Sequence, residues 1–300
     1  VTMLQRSPTY VASRPDQDAI ANFLRKLLPE SWAYAITRFK NTKLQGYFYK
    51  RTRVAPGMVK RRLLNELGKW FDDDYIAKHF TPDYNPWDQR MCLIPNADLY
   101  KAINRGDVVV RTEYIDTFVE NGVRLKSGEV LPADIIVTAT GLKLVVLSGV
   151  EFFVDELPVK VPETFSYKGM MLSAVPNMVQ TFGYINASWT LRADLNSEYV
   201  CRLLNYMDEV GMTQATPTLR DEDVGMKARL WIEGFPAGYM MRSMHLFPRQ
   251  GEGPWRNTQD FEADRKMVRE GPIADTALKF SNPISVPPTQ VVAEGETQAA

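Results

Sequence analysis

The most suggestive polar side chains in this 300-residue sequence lie where a predicted strand meets a predicted helix. Met178 to Tyr184 is apolar enough for a strand, and Trp189 to Met207 has the spacing of a helix. Asn186, Ala187 and Ser188 lie between them, and Asn and Ser are preferred helix N-caps. Because a helix N-terminus presents free N–H groups and the positive end of the helix dipole, this junction either binds an anionic ligand atom or only caps the helix.

A single arginine follows another predicted strand. The run from Thr2 to Tyr10 is interpreted as a strand that ends at the turn Arg6-Ser7-Pro8, since the proline disfavours helix at the serine before it. A guanidinium there has the fork geometry to bind a phosphate, although a single surface arginine is more often only solvated.

Several other kinds of site are disfavoured. His79 and His245 have no cysteine or carboxylate at metal-ligand spacing, so no metal site is predicted. The sequence has no GxSxG nucleophile elbow and no CxxC pair, which argues against a serine hydrolase and a dithiol enzyme. The two cysteines, Cys92 and Cys201, do not form a disulfide framework, and we expect a cytoplasmic protein.

The elements that position these residues alternate between helices and strands, which predicts an α/β fold. Helices are predicted at Asp18 to Leu28, Ser31 to Tyr49 and Val59 to Phe71, and Asp72 to Asn96 is expected to be a loop. Beyond it the predicted elements are a helix at Leu99 to Asn104, a strand at Val108 to Val110, a hairpin around Asn121-Gly122, a buried strand at Asp134 to Thr138 leading into Ala139-Thr140-Gly141, a helical stretch from Thr216 to Trp231 and a helix at Phe261 to Arg269.

The composition is that of a globular protein, with 45% hydrophobic and 24% charged residues. No stretch approaches the ~18 apolar residues that a membrane-spanning helix needs. The 36 basic and 36 acidic residues balance overall, but residues 21 to 70 hold 12 lysines and arginines against only Glu30 and Glu66. This segment is called the basic block.

The basic block could contact an anionic surface. Its aromatic residues are expected at core-facing helical positions: Phe39, Tyr47, Phe48 and Tyr49. Nucleic acid is disfavoured because the chain is not basic overall, with a pI near 6.9. Peripheral membrane contact and self-association remain open.

Five runs together resemble one family: Thr2-Met-Leu-Gln-Arg-Ser-Pro-Thr-Tyr10, Phe80-Thr-Pro-Asp-Tyr-Asn-Pro-Trp-Asp-Gln-Arg90, Asp134-Ile-Ile-Val-Thr-Ala-Thr-Gly141, Gly183-Tyr-Ile-Asn-Ala-Ser-Trp-Thr190 and Phe247-Pro-Arg-Gln-Gly251. In this order they are similar to the flavin-containing monooxygenases of the Baeyer–Villiger group. The resemblance implies an FAD-binding Rossmann-like domain split by an inserted NADPH-binding domain. Residues 1 to 133 would then be the C-terminal part of the NADPH domain, with a helical insertion at about 16 to 80. Residues 134 to 281 would be the C-terminal part of the FAD domain, and residues 282 to 300 a disordered tail.

The resemblance also assigns site residues. Arg6 and Ser7 match the position that grips the NADPH 2′-phosphate. Arg90 matches the arginine that approaches flavin and nicotinamide and is the candidate catalytic residue; its alternative is a surface partner for Asp83 or Asp88. Gln89 stands where these enzymes carry a lysine, so the charge of that position is absent.

Two further segments would contact cofactor through their backbone. Ala139, Thr140 and Gly141 match the return to the FAD domain, where a glycine allows the chain close to the cofactor. Asn186, Ala187, Ser188 and Trp189 match the turn whose helix N-terminus points at the flavin pyrimidine edge. Trp189 is alternatively a core residue.

The implied activity uses FAD, NADPH and O2 and proceeds through a C4a-peroxyflavin. It oxygenates a ketone or oxidises a sulfur or nitrogen centre, with a ketone, sulfide or thioamide-like small molecule as substrate. The sequence contains no GxGxxG, so it is expected to be the C-terminal part of such an enzyme, without tight FAD binding or turnover on its own. The alternatives are a non-catalytic subunit that needs a separate N-terminal chain and, ranked lower without a CxxC pair, a flavin-dependent reductase.

Overall fold

The computed structural model describes residues 1 to 283, and most of the expected tail lies outside them. The α-helices in this range are α1 (Ala19–Leu27), α2 (Glu30–Val54), α3 (Pro56–Leu67), α4 (Asp73–Phe80), α5 (Asp98–Asn104), α6 (Trp189–Val210), α7 (Gly238–Ser243) and α8 (Phe261–Glu270). None of these helices combines the length and the apolar composition needed to cross a lipid bilayer.

The strands are short and form several small sheets. They are β1 (Thr2–Gln5), β2 (Val11–Arg14), β3 (Cys92–Pro95), β4 (Val109–Thr112), β5 (Ile115–Val119), β6 (Gly122–Leu125), β7 (Val130–Pro132), β8 (Phe153–Val154), β9 (Leu157–Pro158), β10 (Ser166–Tyr167), β11 (Met171–Leu172), β12 (Gln214–Pro217), β13 (Arg229–Leu230), β14 (Arg249–Gln250) and β15 (Leu278–Ser281). β1 pairs parallel with β4, and β2 pairs parallel with β3. β5, β6 and β7 form an antiparallel sheet around the predicted Asn-Gly turn.

The first two helices form a hairpin. Asp18 caps α1 by accepting hydrogen bonds from the backbone N–H groups of Ile20 and Ala21. The same carboxylate pairs with Lys40 of α2 at 2.6 Å, and the hydrogen bond from Lys40 lowers the pKa of Asp18 to about 2. Because only Leu28 and Pro29 separate the two helices, this contact near residue 40 shows that α1 packs antiparallel along the first half of α2.

The core-facing prediction for the aromatic residues of α2 is wrong for two of them. Phe39 and Tyr47 are 66% and 64% exposed, while Phe48 and Tyr49 are partly buried. Other elements, among them α1, α3 and the loop around Trp87, cover only parts of this 25-residue helix, so helical spacing alone did not identify its buried side.

The segment from Asp72 to Asn96 is more structured than expected. It contains α4, whose N-cap Asp72 accepts a hydrogen bond from the backbone of Tyr75, and β3, which pairs with β2. Three prolines favoured the loop interpretation, but they lie between and at the end of these elements and leave both intact.

Two predicted strands are absent among the described residues. Asp134 to Thr138 forms no ladder, and Ile135 and Val137 are 83% and 85% exposed. Met178 to Tyr184 is also not a strand and makes only isolated backbone contacts, such as Gln180 N–H to the Met170 carbonyl at 2.7 Å. An apolar run becomes a strand only where another strand pairs with it, and residues 1 to 283 supply none here.

The predicted helical stretch from Thr216 to Trp231 is also wrong. Thr216 and Pro217 belong to β12, which pairs antiparallel with β15. Pro217 cannot continue a helical hydrogen-bond pattern, and Gly225 has a φ of +79°, which ends any regular helix. In contrast, the long predicted helix after Ser188 and the helix at Phe261 are present as α6 and α8, and they pack against each other in the C-terminal core.

Protonation of Asp223 is expected to destabilise the fold at low pH. This buried carboxylate accepts hydrogen bonds from the Arg220 side chain and from the Trp255 indole at 2.9 Å, and those from Arg220 first of all hold its pKa well below the usual range. Such a group stabilises the fold above its unfolded pKa of about 3.9, and the contribution is lost as pH falls through the folded pKa. We expect the free energy of unfolding to decrease as the pH drops below about 4. The decrease should be smaller in Asp223→Asn. Identical pH dependence in denaturant titrations of the two proteins would contradict this.

Candidate functional site

Arg6 and Ser7 lie directly beyond the carboxyl end of β1. β1 is parallel to β4, and Gln5 at its end pairs with Thr112. Both Arg6 and Ser7 are exposed, and neither side chain hydrogen-bonds to another residue within the described range. Because ligands of open α/β sheets bind at the carboxyl ends of parallel strands, this guanidinium and hydroxyl are placed to bind a phosphate.

A cluster of uncharged, hydrogen-bonded side chains supports the end of β1. The Gln5 amide donates to the His79 carbonyl and to Thr112 Oγ1, both at 2.8 Å, and His79 Nδ1 lies 2.7 Å from the same hydroxyl. Burial first, and then the nearby cations Lys78 and Arg111, lower the pKa of His79. The imidazole is therefore neutral at pH 7 and adds no positive charge beside Arg6.

The loop that carries Arg90 is joined to the segment just after Ser7. The Tyr10 hydroxyl donates to the Tyr84 carbonyl at 2.7 Å, and the Tyr84 hydroxyl donates to Thr9 Oγ1 at 3.0 Å. Burial raises the pKa of Tyr10 to about 12, so its phenol remains a hydrogen-bond donor. Tyr84, in the loop that leads to Arg90, is thereby held against Thr9 and Tyr10, close in the chain to Ser7.

Arg90 itself is exposed and makes no ion pair within residues 1 to 283. Its alternative role as a surface partner for Asp88 is wrong, because Asp88 pairs with Arg53 at 2.9 Å and accepts from the Asn85 backbone. Asp83 does not pair with it either. Gln89 is also exposed, and its side chain contacts no described hydrogen-bonding partner. The guanidinium is consequently available for a ligand.

The turn before α6 is the second part of the site. Ser188 occupies the N-cap position, but its hydroxyl lies 2.8 Å from Thr190 Oγ1 and does not cap the helix backbone. The indole of Trp189 is half exposed and packs on Phe182, so the residue is not core. The N-terminus of a 22-residue helix thus has no side-chain cap, which leaves its N–H groups able to stabilise negative charge.

A buried network holds this turn in place. Gln259 accepts from the Ile185 backbone at 3.0 Å, and its carbonyl accepts from the Asn186 amide at 3.2 Å. Behind it, Asp264 pairs with Arg192 in the first turn of α6 and accepts from the Tyr184 hydroxyl at 2.8 Å.

Sequence reasoning missed Arg192 and Asp264. The available signal was the position of Arg192, which falls on the same side of α6 as the buried Leu195, Asn196 and Tyr199. A charge on that side requires a buried counter-charge, although the sequence does not say where the counter-charge lies.

One side of α2 joins the two parts of the site. Gln45, Tyr49 and Arg53 are spaced four residues apart and so lie along one side of the helix. The Gln45 amide donates to the Asn186 carbonyl at 3.2 Å, the Tyr49 ring meets the Trp87 ring edge-on, and Arg53 pairs with Asp88. Gln45 and Arg53 are eight residues apart, which corresponds to about 12 Å along the helix. The Asn186 turn and the loop before Arg90 therefore contact α2 at points about 12 Å apart.

Ala139, Thr140 and Gly141 are not brought to this site. They lie in the irregular, exposed segment that follows residue 133. Gly141 has a φ of +117°, and its side-chain position faces open space among the described residues. Among the described residues, the site therefore combines an exposed arginine and serine at the end of β1, an arginine without an ion-pair partner and a helix end without a side-chain cap, groups that can stabilise negative charge.

Comparison with known proteins places these features in context. The chain is 47% identical over 283 residues to the FAD-containing monooxygenase EthA of Mycobacterium tuberculosis, covering 94% of the chain and 57% of that protein. It is 41% identical over 281 residues to the probable FAD-binding monooxygenase AlmA of Acinetobacter baylyi, covering 93% and 56%. The chain thus spans little more than half the length of these relatives. No protein-family model matches it.

Solved structures share the fold. An oxidized steroid monooxygenase bound to NADP superposes with a TM-score of 0.67 at 17% identity, over 94% of this chain and 62% of that one. A cyclohexanone-bound cyclohexanone monooxygenase superposes with a TM-score of 0.57 at 14% identity, with the same coverage. The predicted α/β, Rossmann-like fold class is confirmed.

Proposed function

Because the chain is 41–47% identical to FAD-containing or FAD-binding monooxygenases over more than 90% of its length, we propose that it forms part of an enzyme that uses FAD, NADPH and O2 to oxygenate a small molecule. The substrate is proposed to be a ketone, which gains an oxygen atom, or a compound with an oxidisable sulfur or nitrogen centre, such as a sulfide or thioamide. The observation that carries this proposal is that Arg90 has no carboxylate partner among residues 1 to 283 and lies in a loop that hydrogen-bonds to the segment after Arg6 and Ser7.

The chemistry of the donor groups fits these cofactors in part. Arg6 and Ser7 offer a charged fork and a hydroxyl to the NADPH 2′-phosphate. The helix end at Asn186 to Trp189 offers N–H groups to the flavin edge. The glycine loops that cradle pyrophosphates are missing from the sequence, so this chain holds cofactor edges and leaves the pyrophosphates to other segments.

When bound, the flavin passes electrons from NADPH to O2, and the residues of this chain supply position and electrostatics. Arg90 stabilises negative charge that develops at the flavin and orients the nicotinamide, without exchanging a proton. Gln89 offers hydrogen bonds but no charge at the neighbouring position. Asn186, Ala187, Ser188 and Trp189 would present the α6 N-terminus to the flavin, and Ala139, Thr140 and Gly141 would contact the cofactor through their backbone.

The same proposal assigns the chain to two cofactor-binding domains. Residues 1 to 133 contribute to the NADPH domain and include the helical insertion at about 16 to 80, and residues 134 to 281 contribute to the FAD domain. A cytoplasmic enzyme accords with the free cysteines Cys92 and Cys201. The basic block is proposed as a surface for peripheral contact, with a membrane or with a second copy.

Replacement of Arg6 with alanine is expected to raise the KM for NADPH by about 10- to 100-fold and to change the KM for NADH little. A hydrogen bond to a charged group contributes about 1.5–3 kcal/mol, and only NADPH carries the 2′-phosphate. Steady-state kinetics with both nucleotides measure this in the natural-length protein. Equal changes for NADH and NADPH would contradict the assignment.

A second candidate is a non-catalytic subunit that needs a separate N-terminal chain. The exposed apolar run at Ile135 to Val137, which pairs with no strand among the described residues, is compatible with this candidate. The intact mass of the protein from its native source distinguishes the two: a mass well above 34.2 kDa supports the enzyme, and a mass near it supports the subunit.

A further inference from the structure

The tip of the α1–α2 hairpin exposes large apolar side chains. Ile20, Phe23 and Leu27 follow one another at helical spacing along α1 and are 55%, 60% and 64% exposed. Across the two-residue turn, Trp32 at the start of α2 is 66% exposed. Leu27 and Trp32 are only five residues apart at the turn, so the apolar side chains continue from one helix to the next.

The exposed side of α2 extends this surface. Trp32, Ile36, Tyr47 and Lys50 fall within an arc of roughly 60° around the helix axis, because successive residues are about 100° apart. All four are exposed. The side that carries Gln45, Tyr49 and Arg53 toward the candidate site is a different one, so this surface is not occupied by those contacts.

Positive charge exceeds negative charge near the apolar residues, where the exposed Glu30 is the carboxylate of the basic block without a cation partner among the described residues. Five of the 12 cations in the basic block pair with carboxylates. The others have no carboxylate partner in the part of the chain described. Among them, Lys26 lies about 60° around α1 from Phe23, whereas Arg25 lies on the opposite side of the helix, about 160° from Leu27. Lys50 and Arg51 add two more on α2.

We propose that this hairpin surface binds the face of an anionic lipid membrane, with Phe23, Leu27 and Trp32 inserted among the headgroups and Lys26 and Lys50 against lipid phosphates. Apolar and aromatic side chains beside lysine and arginine are typical of helices that lie in the membrane interface. A second copy of the chain fits less well, since a symmetric contact would place the same uncompensated cations against each other.

Docking in this way has a consequence for substrate access. The helix that presents Trp32 and Lys50 to lipid holds the Asn186 turn and the Trp87 loop on another side, and an α-helix is only about 10 Å in diameter. The candidate site would thus lie near the membrane surface, where apolar substrates concentrate. This consequence rests on the proposed function, whereas the lipid binding does not.

Vesicle flotation of the natural-length protein tests the proposal. We expect binding at least about tenfold stronger to phosphatidylcholine vesicles containing about one third phosphatidylglycerol than to phosphatidylcholine alone, with a decline at high salt. The double variants Phe23→Gln/Trp32→Gln and Lys26→Gln/Lys50→Gln should each lose about tenfold or more. All four side chains are exposed, so folding should be unaffected.

Matched controls are available away from the hairpin. Phe118→Gln on β5, where the ring is 58% exposed, and Arg105→Gln beyond α5 should bind vesicles like the unmodified protein. Equal loss in the controls, binding unaffected by the hairpin variants, or no binding to either vesicle would overturn the proposal. Dimerisation that Phe23→Gln/Trp32→Gln abolishes, without vesicle binding, would assign the surface to a second copy. None of these measurements requires turnover, so their failure leaves the proposed oxygenation intact.

Discussion

Replacing Arg90 with alanine is expected to lower the rate of oxygenated product formation by about 10²- to 10³-fold while FAD remains bound. Removal of one preorganised electrostatic donor has an effect of this size, because the donor acts where charge develops during the reaction. Arg90 is exposed and unpaired among the described residues, so its loss should not disturb the Arg53–Asp88 ion pair or the Tyr10–Tyr84 contact that hold its loop. Product formation and flavin content are measured together on the natural-length protein.

Two further variants make the result specific. Arg90→Lys keeps the charge but loses the planar fork, and it should recover part of the rate. Arg105→Ala removes an exposed arginine that pairs with the exposed Asp107, and it should leave the rate unchanged. Unchanged product formation in Arg90→Ala would remove this residue from the site.

Replacing Asp264 with alanine is expected to lower the unfolding free energy by about 3–5 kcal/mol, the usual cost of removing one partner of a buried ion pair. Asp264 and Arg192 are 1% and 2% exposed. One carboxylate oxygen pairs with Arg192 and accepts from Tyr184, and the other accepts from Thr258 at 2.7 Å. Alanine would leave the guanidinium buried without a counter-charge and free the Tyr184 hydroxyl.

Thermal unfolding measures the effect directly. For a chain of this size the loss corresponds to a decrease in Tm of about 6 to 20 °C. Asp208→Ala is the matched control, because Asp208 is exposed near the end of α6 and its loss should change stability by less than about 0.5 kcal/mol. A decrease no larger than that of the control would show that the Arg192–Asp264 pair does not stabilise the fold.

Local signals in the sequence predicted a large part of the fold. The apolar spacing of α1, α3, α6 and α8, the Asn121-Gly122 hairpin and the turn at Arg6 depend on neighbouring residues, and the structure has each of them. The family resemblance, carried by runs such as Asn85 to Arg90, is confirmed by the sequence comparisons. The site residues themselves remain predictions.

What the sequence did not predict depends on distant contacts. The run from Asp134 to Thr138 has the composition of a buried strand, but its state is decided by whether a partner strand is present. The exposure of Phe39 and Tyr47 is set by what packs on α2 rather than by their spacing. The contacts from Gln45 to Asn186 and from Gln259 to Ile185 join residues more than 70 positions apart, and no local pattern marks either amide.

Oxygen incorporation tests the central claim most directly. The natural-length protein is supplied with FAD, NADPH and ¹⁸O2, in one assay with a ketone and in another with a sulfide. The masses of the products are measured by mass spectrometry. The account predicts a product that carries one labelled oxygen atom and whose formation depends on NADPH and on Arg90. Consumption of NADPH with a reduced product, or with hydrogen peroxide as the only oxygen product from both substrates, would contradict it.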